Sequence, residues 1–260
     1  MDTRFLPHNT HLEKPEVFIQ QDPHLKQLNK QALVHRSQLL DQIPRSISGI
    51  YTLSGGRQTG KTTILKQWMA ELLESRVPPH SIFYMTGELV DDNHSLIRLV
   101  TDLLTDMPAK DLKFILLDEV TYIKDWDKGV KYLADAGLLE NTVLMITGSD
   151  MVIIKEARMR FPGRRGISEK VDFHLYPLCF FEYVKLSNRI SQDEIDLLTI
   201  THELPCLELL DRLFEEFDRY LFHGGFLTAI NDMAMYQRIL PATFATYSDW
   251  IRGDILKRNK

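Results

Sequence analysis

Only two cysteines, Cys179 and Cys206, occur in the 260 residues. They share no Cys-x-x-Cys spacing, which excludes the common zinc-binding patterns. Both stand among apolar residues, and that setting predicts buried, reduced thiols. No window approaches 18 apolar residues, so no membrane-spanning helix is expected. The opening MDTRFLPHNTHLEKPE is polar and lacks the apolar segment of a secretory signal. The cytoplasm is the expected compartment. Positive charge is not in excess: 31 Lys and Arg face 36 Asp and Glu, for a net charge of -5. Binding to nucleic acid is therefore expected only weakly, through a local basic patch. There is no internal repeat or low-complexity tract. The nine histidines form no H-x-x-x-H pair, and His174 and His223 read as structural. No Ser-His-Asp or Cys-His arrangement follows from spacing.

What is present is ordinary globular material, 44% hydrophobic and 26% charged. Residues up to about Gln21 read as irregular. Asp22-Pro23 reads as an N-cap followed by proline at the first helical position, and two short helices are expected to end near Pro44. From Gly49, strands and helices alternate. GIYTLS reads as a strand. A helix follows with Ile64, Leu65, Trp68, Met69, Leu72 and Leu73 on one face. Then come a strand over Ser81–Met85, a helix in HSLIRLVTDLL, a strand over Lys113–Glu119 and a helix over Trp126–Leu139. NTVLMITGSD and the shorter VDFHLY complete the strands. Continuous apolar strands between helices imply an α/β fold, a parallel sheet with helices on both faces. Beyond Ser187 the pattern is mostly helical, broken by a turn at Gly224-Gly225. The division expected is an N-terminal extension over 1–48, a core of alternating strands and helices over 49–187 and a smaller helical region over 188–260.

LSGGRQTGKTTILKQW carries the chemistry. Gly55, Gly60, Lys61 and Thr62 match G-x-x-x-x-G-K-[ST] between a strand and a helix. Glycines let backbone N–H groups wrap a polyphosphate, and the helix N-terminus adds partial positive charge. The Lys61 ammonium can reach the β- and γ-phosphates, and the Thr62 hydroxyl can ligate Mg²⁺. Gly56, Arg57, Gln58 and Thr59 complete the expected ATP loop. Thr63 serves either helix packing or an α-phosphate contact.

Asp118 and Glu119 end an apolar strand, which puts two carboxylates at the carboxyl edge of the sheet beside the loop. Asp118 is expected to hold Mg²⁺ through water, and Glu119 to polarise the attacking water as general base. ITGSD ends the next strand. Thr147 and Ser149 are both candidates for a γ-phosphate or water contact, with Ser149 favoured; its other reading is an N-cap for MVIIKEARMR. EARMRFPGRRG gathers Arg158, Arg160, Arg164 and Arg165. Arg164 or Arg165 is a candidate finger on a phosphate, against a solvated basic loop.

GIYTLSGGRQTGKTTILKQW, FILLDEVTYIKDWDKGVKYLADAG, LMITGSD, FPGRRG, FHLYPLCFFEYV and YLFHGGF together resemble bacterial and archaeal AAA+ superfamily ATPases whose AAA domain precedes a C-terminal domain of unknown function. The resemblance is strongest from Gly49 to Val184. It implies that Gly55–Thr62 is a Walker A loop, Asp118–Glu119 a Walker B pair, and the polar residue after the fourth strand a sensor 1. Cys179 stands where the family often has Ser, and Leu227 where it often has Pro. Such proteins usually continue into a winged helix, so IRGDILKRNK reads as a truncated end.

The function expected is Mg²⁺-dependent ATP hydrolysis coupled to conformational change, acting on a protein partner or within a homo-oligomer. The alternatives are a nucleotide-gated switch or scaffold with slow turnover, and a small-molecule kinase. Glu119 favours the first, because a pure binder does not need it.

Overall fold

The computed structural model describes residues 2–108, 110–148, 159–200 and 206–258. The chain forms two compact units. The first is Met1–Asn29, Arg36–Gly56 and Gly60–Leu175; the second is Lys30–His35, Arg57–Thr59 and Tyr176–Lys260. This differs from the expected division. Residues 2–29 and 36–48 fold with the sheet, residues 30–35 belong to the second unit, and the sheet unit closes at Leu175 rather than near 187.

In the first unit, short helices α1 (Phe18–Gln21), α2 (Pro23–Leu28) and α3 (Leu39–Gln42) precede strand β1 (Gly49–Gly55). Then follow α4 (Lys61–Glu74), β2 (Ile82–Thr86), α5 (Asn93–Asp106), β3 (Lys113–Asp118), α6 (Trp126–Asp135), β4 (Thr142–Gly148) and β5 (Asp172–Leu175). All five strands are parallel, in the order β2-β3-β4-β1-β5. The sheet is that of a P-loop NTPase, with helices on both faces.

The period of two along each strand explains the uninterrupted apolar runs. Tyr51, Leu53, Ile82, Tyr84, Phe114, Leu116, Val143 and Met145 pack with Leu65, Trp68 and Met69 of α4. Their alternates Ile50, Phe83, Met85, Ile115, Leu117, Leu144 and Ile146 pack with α5 and α6. The helix expected over Trp126–Leu139 ends at Asp135. Gly137 takes φ 72, and Leu138 N bonds Leu133 O at 3.1 Å while Gly137 N bonds Ala134 O at 3.1 Å. This is a Schellman ending, which stops the helix although apolar spacing continues.

The residues before Gln21 are not irregular. They form three 3₁₀ turns, Thr3–His8, Thr10–Leu12 and Pro15–Val17, before α1. They cover the β2 edge with side chains. Asn9 Nδ2 donates to Tyr84 O at 2.8 Å and Asn9 Oδ1 accepts from Tyr84 N at 2.8 Å. His11 Nε2 lies 3.0 Å from Ile82 O. An edge strand presents unpaired backbone groups, and here one carboxamide satisfies both groups of a residue.

The second unit holds α7 (Phe180–Ser187), α8 (Gln192–Ile200), α9 (Leu207–His223), α10 (Leu227–Tyr236) and α11 (Pro241–Arg258). Leu178, Tyr183, Val184, Ile190, Ile195, Leu209 and Ile230 form its core. Gly225 is required by close approach: a Cβ there would lie 2.0 Å from Leu178 O. The buried Glu216 accepts from Tyr183 Oη at 2.9 Å and pairs with Arg189 and Arg219. Both cysteines are exposed, not buried. Each occupies the position before a helix, α7 or α9, where the chain turns at the surface. No helix among the described residues is long and apolar enough to cross a membrane.

The His11 ring is fully buried, and burial pushes its pKa down to about 4. The unfolded chain takes up this proton near pH 6.5 and the native chain does not, so His11 costs stability as pH falls from about 6.5 to 4. The loss across that window is about 3 kcal/mol. Urea midpoints of the wild type and His11→Gln, compared from pH 7.5 to 4, should converge on acidification as the wild type loses this contribution. Parallel profiles would show that His11 does not titrate in this way.

Candidate nucleotide-binding site

The β1–α4 connection is the Gly55–Thr62 loop. Gln58 takes φ 53 and Gly60 takes φ 99, the left-handed region that glycine adopts without steric cost. A Cβ on Gly60 would meet nothing within 4 Å, so the glycine answers to backbone conformation and leaves open space. Lys61 is buried at the start of α4, and its Nζ donates to Gly55 O at 3.2 Å and Gly56 O at 2.9 Å. An ammonium held on the carbonyls of its own loop is the donor set a polyphosphate requires there. Thr59 is buried, while Gly56 and Gln58 are exposed. Thr63 is half-buried in the first turn of α4.

Sheet parity builds the rest. Phe114, Leu116 and Asp118 alternate onto the α4 face of β3. Ile82 and Tyr84 do so on β2, and Val143, Met145 and Thr147 on β4. Asp118, 2% exposed, therefore sits beneath the first turn of α4 with polar neighbours on both adjacent strands. Its Oδ2 accepts from Thr62 Oγ1 at 2.6 Å and from Tyr84 Oη at 2.7 Å. Its Oδ1 accepts from Thr147 Oγ1 and from Glu119 N at 3.1 Å. Burial, and then the Asp118 charge, push the Tyr84 phenol far above its ordinary range, so it stays protonated and donates.

A threonine hydroxyl against a carboxylate is a hard oxygen pair that suits Mg²⁺, which takes one or two carboxylates and completes its shell with water and phosphate. Among the described residues there is no cluster of three His, Cys, Asp or Glu side chains suited to another metal.

Glu119 leaves the strand abruptly. It takes φ 49, and its N also donates to Thr147 Oγ1 at 3.1 Å. Left-handed backbone in a non-glycine residue costs on the order of 1 kcal/mol and is worth holding only where the surroundings impose it. Gly87 makes room, since a Cβ there would lie 2.5 Å from Glu119 O.

The expected constellation is thus partly assembled: Gly55, Gly56, Gly60, Lys61, Thr62, Asp118 and Glu119 converge at the carboxyl end of the sheet. Thr147 grips Asp118. Ser149 and Arg158 lie outside the described residues. Arg164 and Arg165 are not brought to this chain's own loop. Arg165 Nη1 bonds Asp172 Oδ2 at 2.8 Å and its Nε bonds Ile50 O at 3.3 Å. A Cβ on Gly49 would lie 2.6 Å from Arg165 O, so Arg165 sits at the start of β1. The loop is at the other end, about 20 Å away along a seven-residue strand. Arg164 pairs with Asp135 at the end of α6. Arg160 pairs with Asp127. This placement keeps Arg164 and Arg165 away from the phosphate loop of their own chain.

Sequence reasoning missed Tyr84, Gly87 and the N-terminal contacts. For Tyr84 a signal existed: it is the one residue of Ile82–Thr86 that pairs a buried ring with a polar tip on the α4 face.

An uncharacterized protein of Haemophilus influenzae is 26% identical over 223 residues, covering 82% of this chain and 49% of that protein. An uncharacterized protein of Methanocaldococcus jannaschii is 26% identical over 219 residues, covering 81% and 43%. The chain thus spans less than half the length of these relatives. Among solved structures, a Walker-type ATPase of Pyrococcus abyssi aligns with TM-score 0.47 at 13% identity, over 81% of this chain and 71% of that one. Cdc6p of Pyrobaculum aerophilum aligns with TM-score 0.42 at 20% identity, over 60% and 48%. A family model described as AAA domain matches residues 48–184, just over half of the chain. With the parallel sheet and the phosphate loop in place, the chain belongs to that AAA domain family.

Proposed function

We propose that this chain binds ATP with Mg²⁺ and hydrolyses it, passing the change in nucleotide state to the rest of its protein or to a partner. The observation that carries the reading is the Thr62–Asp118 contact at 2.6 Å beneath the loop, with Glu119 turned out of the strand beside it. A loop that only caps a helix needs no buried carboxylate under its threonine.

Thr62 and Asp118 would hold Mg²⁺. The metal, when bound, neutralises charge on the β- and γ-phosphate oxygens. Lys61 moves its ammonium from the loop carbonyls to the phosphates, exchanging neutral acceptors for anionic ones. Glu119 accepts the proton of the attacking water. Thr147 is occupied in fixing Asp118, so contact with the γ-phosphate or the water falls to Ser149. A nucleotide-gated switch with slow turnover uses the same loop, and Glu119 is what separates the two.

The arginines divide. Arg165 ties β1 to β5 through Asp172, with its side chain 13% exposed. Arg164 lies at the surface on Asp135 and is the one suited to a nucleotide on a neighbouring copy.

Lys61→Ala should lose most of its affinity for Mg²⁺–ATP in calorimetry, having lost the lysine charge that the loop offers the phosphates. Glu119→Gln should keep the nucleotide and slow steady-state phosphate release by roughly 10²–10⁴-fold, the usual worth of a general base. Wild-type turnover in Glu119→Gln would move water activation elsewhere and favour the switch.

Arg165→Ala should lower the urea midpoint, because Asp172 loses its cationic partner and keeps only neutral donors such as the Thr52 hydroxyl. Arg164→Ala should leave that midpoint nearly unchanged. It should lower turnover in proportion to how far the wild-type rate depends on protein concentration. Equal turnover in Arg164→Ala and wild type at all concentrations would return Arg164 to a surface ion pair.

A further inference from the structure

Behind Asp118 lies a line of buried polar contacts that catalysis by the loop does not require. Lys66, on α4, is 0% exposed although its side chain ends in an amine. Its Nζ lies 3.0 Å from Asp22 Oδ2, donates to His8 O at 2.7 Å, and stands 3.8 Å from the centroid of the Tyr84 ring. Asp22 is itself fixed, because its Oδ1 accepts from His24 N at 3.0 Å and Leu25 N at 3.2 Å at the start of α2. Asn9 holds both the N–H and the C=O of Tyr84 at the free edge of β2. The far end of Tyr84 donates to Asp118 Oδ2, the oxygen that also receives Thr62.

Each contact constrains the next. Asn9 fixes where the Tyr84 backbone sits. Asp22 and His8 fix Lys66 against the ring. A cation over an aromatic face draws on its electron density and makes the phenol a stronger donor. The hydroxyl then sets the rotation of the Asp118 carboxylate, which must present an oxygen beside Thr62. Groups that orient a metal's ligands from behind are as much a part of a metal site as the ligands.

We propose that Tyr84 is a positioning residue for the Mg²⁺-holding carboxylate, and that Asn9, Asp22 and Lys66 keep it in place, so that residues 2–28 support the metal site from the far side of the sheet edge. This rests on the assignment of Thr62 and Asp118 to Mg²⁺.

Tyr84→Phe deletes one hydroxyl and leaves the ring under Lys66. Binding of a non-hydrolysable ATP analogue, titrated by calorimetry at graded Mg²⁺, is the measurement. The Mg²⁺ concentration for half-maximal enhancement should rise about tenfold, the low end of what losing such a partner costs, with affinity in EDTA changed less than about twofold. Asp22→Asn should shift the same midpoint upward, and that shift should vanish in the Tyr84→Phe background, because its effect passes through the hydroxyl. Where Asp22→Asn does not fold, Asn9→Ala enters the same cycle. Additive shifts, or an unchanged midpoint in folded Tyr84→Phe, overturn the inference and leave the nucleotide site standing. Absence of Mg²⁺-dependent binding in the wild type, or wild-type affinity in Lys61→Ala, overturns both.

Discussion

A carboxylate buried at the end of a strand needs donors, and Asp118 takes them from three directions. Thr62 comes from α4, Tyr84 from β2 and Thr147 from β4, with the Glu119 amide as the fourth. An unpaired ion at that depth would cost several kcal/mol, so the donors have to arrive together. That requirement sets the register of β2 and β4 against β3 and the height of α4 above the sheet. It also explains why β3 lies between β2 and β4 in the strand order. Only a central strand has a polar neighbour available on each side. The apolar core buries the sheet; the Asp118 contacts decide which residues stand at its working end.

The same logic extends to the edge. β2 has β3 on one side only, and the N-terminal turns satisfy its other side. Burying Lys66 in this wall is costly on its own, and burial pulls its pKa down against the opposing pull of Asp22. Apolar residues of similar size would often be as stable or more so. The pair therefore makes poor sense as a source of stability alone. It makes better sense as a fixed charge that sets the Tyr84 ring and, through it, the carboxylate.

Much of this was legible in the chain. The alternation of apolar strands with helices gave the parallel sheet, because both strand faces are covered and hydropathy then runs unbroken. The phosphate loop was legible because its chemistry is local: glycine, lysine and threonine act at fixed spacing. Asp22-Pro23 was legible as an N-cap for the same reason. What sequence did not reveal was the second use of Asp22, on Lys66, 44 positions away, or that of Asn9 on Tyr84. Neither residue stands in a periodic pattern, and their roles exist only once the N-terminal turns lie along β2. The arginines show another limit. Their place after the fourth strand suited a phosphate, but the return of the chain to the start of β1 carries Arg165 to the far end of the sheet from its own loop. Cysteine burial was misjudged because apolar neighbours in sequence point to several faces of a helix start.

The two acids that end β3 are adjacent in sequence and opposite in circumstance. Asp118 keeps strand geometry, so its side chain stays on the α4 face and meets donors from α4, β2 and β4. Glu119 would, by simple alternation, point to the α5–α6 face, among Ile115 and Leu117. A carboxylate placed there would meet an apolar core. The left-handed turn at Glu119 removes it from that alternation, and Gly87 admits the carbonyl displaced by the turn. One backbone rotation thus gives two neighbouring carboxylates separate environments. The first is held by four donors and suited to holding a cation. The second is half-buried, free of the strand's alternation, and suited to handling a proton. Neither environment follows from residue type, since Asp and Glu are chemically alike. It follows from where the strand ends.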